Sequence, residues 1–233
     1  MKSGSGAHTQ PFSRLCLASQ SPRRREMLAW LNVPFATTAT DVDESPRPGE
    51  APAALAARLA RVKARAAQDG AYGTWTLTAD TVVEIEGESL GKPATAAEAR
   101  EMLRRLRRRA HCVHTGVALC LPDGVEIVRR VTTGVWMRAY APAEVERYVA
   151  SGDPFDKAGA YAIQHPGFHP VSRVDRCYAN VVGLPLCAVV ACLRQQQIYL
   201  ELDVRAICLH HLNYRCPAID EGQALETTDL DEG

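Results

Sequence analysis

The chain has 233 residues, of which 46% are hydrophobic and 23% are charged, a composition typical of a globular protein with a sizeable core. Its 27 basic and 27 acidic side chains cancel, so no field of the whole molecule attracts nucleic acid or an anionic membrane. The longest apolar run, 181–193, contains Gly183 and Pro185 and is shorter than the roughly 20 residues that a membrane-spanning helix needs. We therefore expect a cytoplasmic protein without membrane or nucleic-acid partners.

Turn residues and apolar periodicity divide the chain into short segments of two kinds. Ser21 followed by Pro22 has the pattern of a helix start, and Thr95 with Glu98 three residues later is a capping box. In chain order the patterns predict strand 14–18, a helix from 22, helix 52–68, strand 75–85, helix 96–106, a hairpin of strands 111–121 and 125–137, helix 142–150, strands 168–174 and 181–182, and helix 184–196. This mixed order predicts an α/β fold.

The first predicted helix carries basic residues at the end where its dipole disfavours them. Arg23 and Arg24 lie in the first turn, beside unpaired backbone N–H groups with partial positive charge. A bound anion would outweigh this repulsion, so we expect both residues to contribute to an anion site.

The eight cysteines include no C-x-x-C pair and lie mostly in apolar stretches, which predicts reduced, buried thiols. The segment 208–216 contains two cysteines and two histidines that could in principle bind zinc. A second spaced pair of ligands is missing from the sequence, so we predict no zinc site there.

Phosphoryl transfer requires cations that hold phosphate oxygens, carboxylates that hold a divalent metal and a group that orients water. Candidates of these types are Arg23, Arg24, Lys63, Lys92, Asp41, Asp43, Glu44 and Asp80. Spacing alone leaves a surface, turn or capping role open for each of them and does not bring them together. Asp80 is the most unusual, because a carboxylate in an apolar strand loses hydration unless a cation or a metal compensates.

Motifs of several other enzyme classes are absent. The segment 87–93 has one residue too few between its glycines for a P-loop, and Pro93 stands where Ser or Thr would bind magnesium. H-E-x-x-H, G-x-S-x-G and G-x-G-x-x-G do not occur.

The basic run 104–109 is expected to be a solvated helix end rather than a nucleic-acid site. His111 and His114 point to opposite faces of their predicted strand, so we expect structural roles for both.

Eight segments carry a more specific signal when they are taken together. They are LASQSPRRR at 17–25, DE at 43–44, RLARVKA at 58–64, ADTVV at 79–83, GKP at 91–93, HCVHTGV at 111–117, DKAGAYAIQ at 156–164 and NVVGLP at 180–185. In order and spacing they resemble the motifs of the Maf family of nucleoside triphosphate pyrophosphatases. The resemblance covers about residues 14–195. It implies an α/β fold similar to the inosine triphosphatase fold, with an elongated mixed sheet, flanking helices and two lobes around a central cleft.

The resemblance also implies a reaction, in which water attacks the α-phosphorus of a nucleoside triphosphate and releases the monophosphate and pyrophosphate. Asp80 corresponds to the catalytic base, and Glu44 with Asp80 would hold Mg²⁺ or Mn²⁺. Substrate contacts are implied for Ser19, Arg23, Arg24, Lys63, Thr81, Lys92, Lys157 and Gln164. Analogy with the family further implies a homodimer.

Within the family, Arg23, Thr81 and Gln164 match the branch that acts on dTTP and UTP, so we expect pyrimidine triphosphates, including modified ones, as substrates. The Gln164 amide can both donate and accept at the edge of uracil or thymine. Ala162 and the pair 165–166 depart from the glycines usual in this branch, so we expect the loop beside the base site to be less pliant.

We divide the chain into a flexible lead-in over 1–13, a Maf-like domain over 14–197, and a C-terminal extension over 198–233 that is acidic and disordered from about 220. The alternative function is a nucleotide-sensing regulatory protein that affects cell division and septum formation. In that case the same site would bind nucleotide without turning it over.

Overall fold

The computed structural model describes residues 15–68 and 73–217. The strands form a seven-stranded sheet of order β2-β1-β3-β5-β6-β7, with β4 paired to β3. They are β1 (Leu15–Ala18), β2 (Ala36–Thr38), β3 (Trp75–Ile85), β4 (Glu88–Leu90), β5 (Ala110–Cys120), β6 (Glu126–Met137) and β7 (Val171–Val174). β1 runs parallel to β2 and β3, and the other pairs are antiparallel, which confirms the predicted mixed sheet.

Seven α-helices flank the sheet in the described residues. They are α1 (Pro22–Ala29), α2 (Pro52–Gln68), α3 (Ala96–Leu106), α4 (Pro142–Ala150), α5 (Tyr178–Val182), α6 (Leu186–Gln195) and α7 (Val204–Leu212). None of these helices is long and apolar enough to cross a membrane. The predicted lead-in and the acidic segment from about 220 lie outside the described residues.

Local sequence signals place most of these elements correctly. The Ser21 hydroxyl caps α1 by accepting from the Arg24 N–H, and Thr95 caps α3 in the same way. The strand predicted at 168–174 forms only as the shorter β7. The strand predicted at 181–182 is wrong, because these β-branched residues end α5, where packing against β5 and β6 overrides their strand propensity.

The cysteine prediction agrees with the structure. None of the eight cysteines forms a disulfide, and all of them lie within the described residues. Five are buried, and burial raises the pKa of thiols such as Cys192, to about 11, and Cys208, to about 12. The protonated thiols act as small apolar groups of the core.

Strand β3 is paired unevenly along its two edges. On one edge it pairs with β5 continuously from Thr76 to Glu84. On the other edge, residues 75–77 pair with β1 and residues 83–85 pair with β4. Residues 78–82 therefore have no strand neighbour on this edge among the described strands. The gap gives a ligand access to the middle of the sheet.

Two hydrophobic cores lie at opposite ends of the long strands. The first joins β1, α1 and α6 to one end of β3, and it includes Leu17, Leu28, Leu77, Val189 and Leu193. The second joins α3 and α4 to the other end, and it includes Val83, Leu103, Val135, Tyr148 and Phe168. The unpaired stretch of β3 lies between the cores, as the predicted arrangement of two lobes around a cleft requires.

Helix α2 approaches the sheet closely at Gly116 of β5. A Cβ atom at this position would lie 2.3 Å from the Ala56 carbonyl oxygen, which no side chain can tolerate. The Thr78 hydroxyl donates to the Ala60 carbonyl at 2.6 Å and fixes the helix on β3. The short distance between helix and sheet brings Lys63, one turn further along α2, within reach of β3.

We expect Gly116→Ala to destabilise the protein by about 1–3 kcal/mol, because the new methyl group would push α2 away from the sheet. Urea denaturation measures this effect. Gly91→Ala is the matched control, since a Cβ there meets nothing within 4 Å. Equal unfolding midpoints for the two variants would contradict the close approach.

The two strand histidines have structural partners. His111 Nε2 lies 2.8 Å from the Tyr161 hydroxyl, and His114 Nε2 lies 2.6 Å from a Glu84 carboxylate oxygen. His111 is 5% exposed, and its Nδ1 has no partner in the described part of the chain. Burial lowers the pKa of His111 to about 4.

This low pKa makes stability depend on pH. The unfolded histidine has a pKa of about 6.5, so the unfolded state binds more protons than the folded state between pH 6.5 and 4. Stability is therefore complete above about pH 6.5 and decreases, by a few kcal/mol in total, as the pH falls through this window.

We expect His111→Phe, which cannot titrate, to show a shallower acid decrease of the free energy of unfolding than the parent chain. Urea melts at several pH values measure it, with the exposed His169→Phe as the control. A decrease as steep as that of the parent would show that His111 is not the group responsible.

Candidate active site

Two adjoining cavities of about 360 Å³ each open at the gap in β3, a size typical of small-molecule sites. Residues that line both of them are Ser21, Arg23, Arg24, Glu44, Lys63, Lys92 and Asp156. The first cavity adds Asp80, Thr81, Lys157 and Gln164, and the second adds Ser19 and Asp41. Every residue to which the sequence analysis assigned a catalytic, substrate or metal role thus lines this cleft, whereas the further candidate Asp43 does not.

A lysine between two carboxylates forms the centre of the cleft. Lys63 Nζ lies 2.5 Å from Asp80 Oδ1 and 2.6 Å from Glu44 Oε1. The side chains of Asp80 and Lys63 are 9% and 12% exposed, whereas Glu44 is 51% exposed. Desolvation is the largest influence on Glu44 and opposes its ionisation, but the hydrogen bond from Lys63 and the charges of Lys63, Lys92 and Arg24 outweigh it and lower the pKa.

The guanidinium of Arg24 is held in place by the protein. Its Nε donates to the Gly183 carbonyl at 2.8 Å, and its Nη2 donates to the Thr81 hydroxyl at 3.1 Å. Desolvation lowers the pKa of Arg24 and the nearby Asp80 charge raises it, but an arginine stays charged in either case. Gly183 ends α5 with φ of +119°, a conformation that other residues rarely adopt.

A buried chain of hydroxyl groups continues from this arginine. Thr81 Oγ1 lies 2.9 Å from Thr115 Oγ1, which donates to the Asn180 carbonyl at 3.1 Å. Arginine can only donate and a carbonyl can only accept, so each hydroxyl must accept from the arginine side and donate towards Asn180. The chain therefore has one direction, and it ties Arg24 to the middle of α5.

We expect Thr115→Val to remove this chain. The Thr81 hydroxyl would lose its acceptor, and the Asn180 carbonyl would keep only the Gly183 N–H as a donor, at a cost of about 1–3 kcal/mol for the lost buried hydrogen bonds. Urea denaturation measures the loss, and Thr115→Ser, which keeps the hydroxyl, is the control. Similar stability of the Val and Ser variants would contradict the role of the hydroxyl.

Lys157 lies in the lining, but its ammonium group already has partners. Nζ donates to the Asp153 carbonyl at 2.6 Å, to Asp153 Oδ1 at 2.9 Å and to Asp156 Oδ1 at 2.6 Å. An ammonium has three N–H donors, and these contacts use all of them. In this arrangement Lys157 fixes the turn 153–157.

Asp156 lines the cleft, although the sequence analysis assigned it no role in the site. It lies in the segment 156–164 that carries the family resemblance, yet no role was expected for it. Its side chain is 68% exposed and it lines both cavities. Its position directly before Lys157, a predicted substrate contact, was the sequence signal that could have pointed to it.

Asp43, in contrast, is outside both linings and accepts from the Ser45 N–H at 2.9 Å, so it shapes a turn.

The basic run near the end of α3 lies elsewhere. Arg104, Arg105 and Arg109 of the run 104–109 form ion pairs with Glu101, Glu88 and Glu86. These exposed pairs agree with the prediction of a solvated helix end.

Comparison with known proteins gives the family of the chain. Residues 14–196 match the family described as Maf-like protein. The chain belongs to the Maf family. Maf relatives include the dTTP/UTP pyrophosphatase of Geobacter metallireducens, 47% identical over 184 residues, with 78% of this chain and 95% of the relative covered. The dTTP/UTP pyrophosphatase of Myxococcus xanthus is 49% identical over 181 residues and covers 78% of this chain and 91% of its own length.

Solved structures that resemble this Maf protein are more distant. The nucleoside-triphosphatase, or dITP/XTP pyrophosphatase, of Mycobacterium abscessus aligns with a TM-score of 0.36 and 18% identity over 53% of this chain and 73% of its own. The Ham1 protein of Staphylococcus aureus aligns with a TM-score of 0.45 and 14% identity over 78% of this chain and 98% of its own. Helix α7 lies outside the Maf match.

Proposed function

We propose that this Maf-family protein is a pyrophosphatase that hydrolyses dTTP, UTP and modified pyrimidine triphosphates to the monophosphate and pyrophosphate. The observation that carries the proposal is the centre of the cleft, where Lys63 joins Asp80 and Glu44 beside the fixed guanidinium of Arg24. The names of the curated relatives, at 47% and 49% identity, support the pyrimidine triphosphates as the substrate class.

The basic residues of the cleft hold the triphosphate. Arg24 has two of its N–H groups fixed by the protein, so its remaining donors point in a set direction and lose little entropy when a phosphate binds. Lys92 is exposed, lines both cavities and adds a further positive charge. Such preset charges stabilise the negative charge that develops on the leaving pyrophosphate.

Asp80 orients the attacking water. Its Oδ1 accepts from Lys63, and we assign its other carboxylate oxygen to the water that attacks the α-phosphorus. The lysine keeps the carboxylate in one orientation. The position of Asp80 on the unpaired stretch of β3 leaves that carboxylate open to the cleft.

A divalent metal fits the same carboxylates. Glu44 and Asp80 supply hard oxygen donors, which Mg²⁺ and Mn²⁺ prefer, and they already flank one cation, the Lys63 ammonium. No cluster of three or more metal-ligating side chains occurs in the described ranges, but Mg²⁺ commonly binds one or two carboxylates together with substrate phosphates. When bound, the ion would neutralise charge on the phosphate oxygens.

Recognition of the base is assigned to Gln164 and Arg23, which both line the first cavity. The Thr81 hydroxyl is already shared by Arg24 and Thr115, so we assign it to orienting Arg24. The homodimer and the cytoplasmic location stay predictions.

We expect Asp80→Asn to reduce pyrophosphate release from UTP or dTTP by roughly 10²–10⁴-fold, because the amide cannot take the proton of the water. The assay measures pyrophosphate over a panel of nucleoside triphosphates with Mg²⁺, with Mn²⁺ and without metal, and circular dichroism checks the fold. Asp43→Asn, outside both cavities, is the matched control. Unchanged turnover in Asp80→Asn would contradict the mechanism, and nucleotide binding without turnover by the parent chain would favour the regulatory alternative.

A further inference from the structure

A turn over residues 162–168 presents Gln164 to the cleft, and one buried tyrosine contacts the chain before it. The Ala162 N–H donates to the Tyr148 hydroxyl at 2.9 Å, and that hydroxyl donates to Asp153 Oδ2 at 2.7 Å. An N–H can only donate and a carboxylate can only accept, so both roles of the hydroxyl are fixed. Tyr148 is 2% exposed, and burial raises the pKa of its phenol, which keeps the hydroxyl protonated.

The same tyrosine also holds the chain after Gln164. His165 Nδ1 accepts from the Gly167 N–H at 3.2 Å and from the Phe168 N–H at 2.8 Å, so this nitrogen carries no proton. The His165 ring meets the Tyr148 ring edge-on, with centroids 4.8 Å apart, and Phe168 stacks on Tyr148 at 4.4 Å. Tyr148 thus contacts the turn with its hydroxyl on one side of Gln164 and with its ring on the other.

The far end of this arrangement is anchored as well. Asp153, which accepts from Tyr148, also accepts two hydrogen bonds from the ammonium of Lys157. Tyr148 itself lies on α4 within the second hydrophobic core. The turn is therefore fixed to a rigid part of the protein, and Gln164 is its exposed side chain in the cleft.

Such fixing matters for discrimination between bases. Uracil presents a carbonyl and an N–H where cytosine presents an amino group and an acceptor nitrogen, so the two edges have opposite hydrogen-bonding character. A glutamine amide on a mobile loop can approach a base from several positions and pair with either edge, whereas an amide whose backbone is held approaches from one position and favours one edge. Ordering a mobile side chain and loop also weakens binding of the correct base.

We propose that Tyr148 and His165 are specificity-positioning residues, which hold the backbone on both sides of Gln164 so that its amide selects uracil over cytosine. The inference rests on the proposed function, which places Gln164 against the base. It adds residues that do not touch the substrate and act through Gln164.

The test measures equilibrium binding of UTP and CTP analogues in which an NH group replaces the oxygen between the α- and β-phosphates, which blocks cleavage there. The full chain is titrated with each analogue, and the ratio of the two dissociation constants is compared among variants. We expect Tyr148→Phe and His165→Ala to reduce the preference for the UTP analogue roughly threefold to tenfold. His165→Asn, whose side-chain oxygen can replace Nδ1 as an acceptor, should restore most of the preference.

Two controls separate positioning from a general loss of stability. Tyr140→Phe removes another buried hydroxyl, which donates to the Leu103 carbonyl, and should lower stability without changing the ratio. Gln164→Ala should reduce the preference, and adding His165→Ala to it should cause no further reduction if both act through one amide.

The inference is overturned if Tyr148→Phe and His165→Ala change the ratio no more than Tyr140→Phe does, or if Gln164→Ala leaves the ratio unchanged. Pyrophosphate release by the parent chain is assayed separately. A parent chain that releases none contradicts the proposed enzyme function, and the binding ratios still decide the roles of Tyr148 and His165.

Discussion

The contact between Lys63 and Asp80 is the interaction on which the site depends. A carboxylate on a side chain that is only 9% exposed, in the middle of a sheet, is unfavourable unless a cation compensates its lost hydration. Lys63 provides that charge, but it reaches Asp80 only because α2 lies very close to the sheet at Gly116. The charged form of Asp80 therefore depends on the close packing of α2 against the sheet.

The sheet provides the second requirement, which is access. A strand that is paired on both edges would have its backbone covered along its whole length, and its central residues would lie far from solvent. The edge of β3 is divided between β1 and β4, so residues 78–82 remain open between two cores that are each well packed. Alternation along the strand then sends Asp80 to the face of α2 and Thr81 to the face that holds Arg24.

Several residues at the cleft position the side chains or backbone of other residues. Thr81, Thr115 and Asn180 fix Arg24 through a directional chain of hydrogen bonds. Tyr148 likewise holds the turn that carries Gln164, through a hydrogen bond to Ala162 and a ring contact with His165. Preset donors lose little entropy when a substrate binds, which is the physical advantage of placing charged and amide groups on such supports.

The sequence by itself determined the elements with strong local signals and the residue types of the site. Proline, the capping residues and regular apolar spacing predict α1, α2, α3 and β3, because these signals act within a few residues. The ordered motifs also contain the residues for which a catalytic, substrate or metal role is predicted, and these residues line the cleft. Only the tertiary structure decided that residues 181–182 are helical, that Lys157 is fully bonded and that Tyr148 supports Gln164. These features depend on contacts between segments far apart in the chain, and no local pattern encodes such contacts.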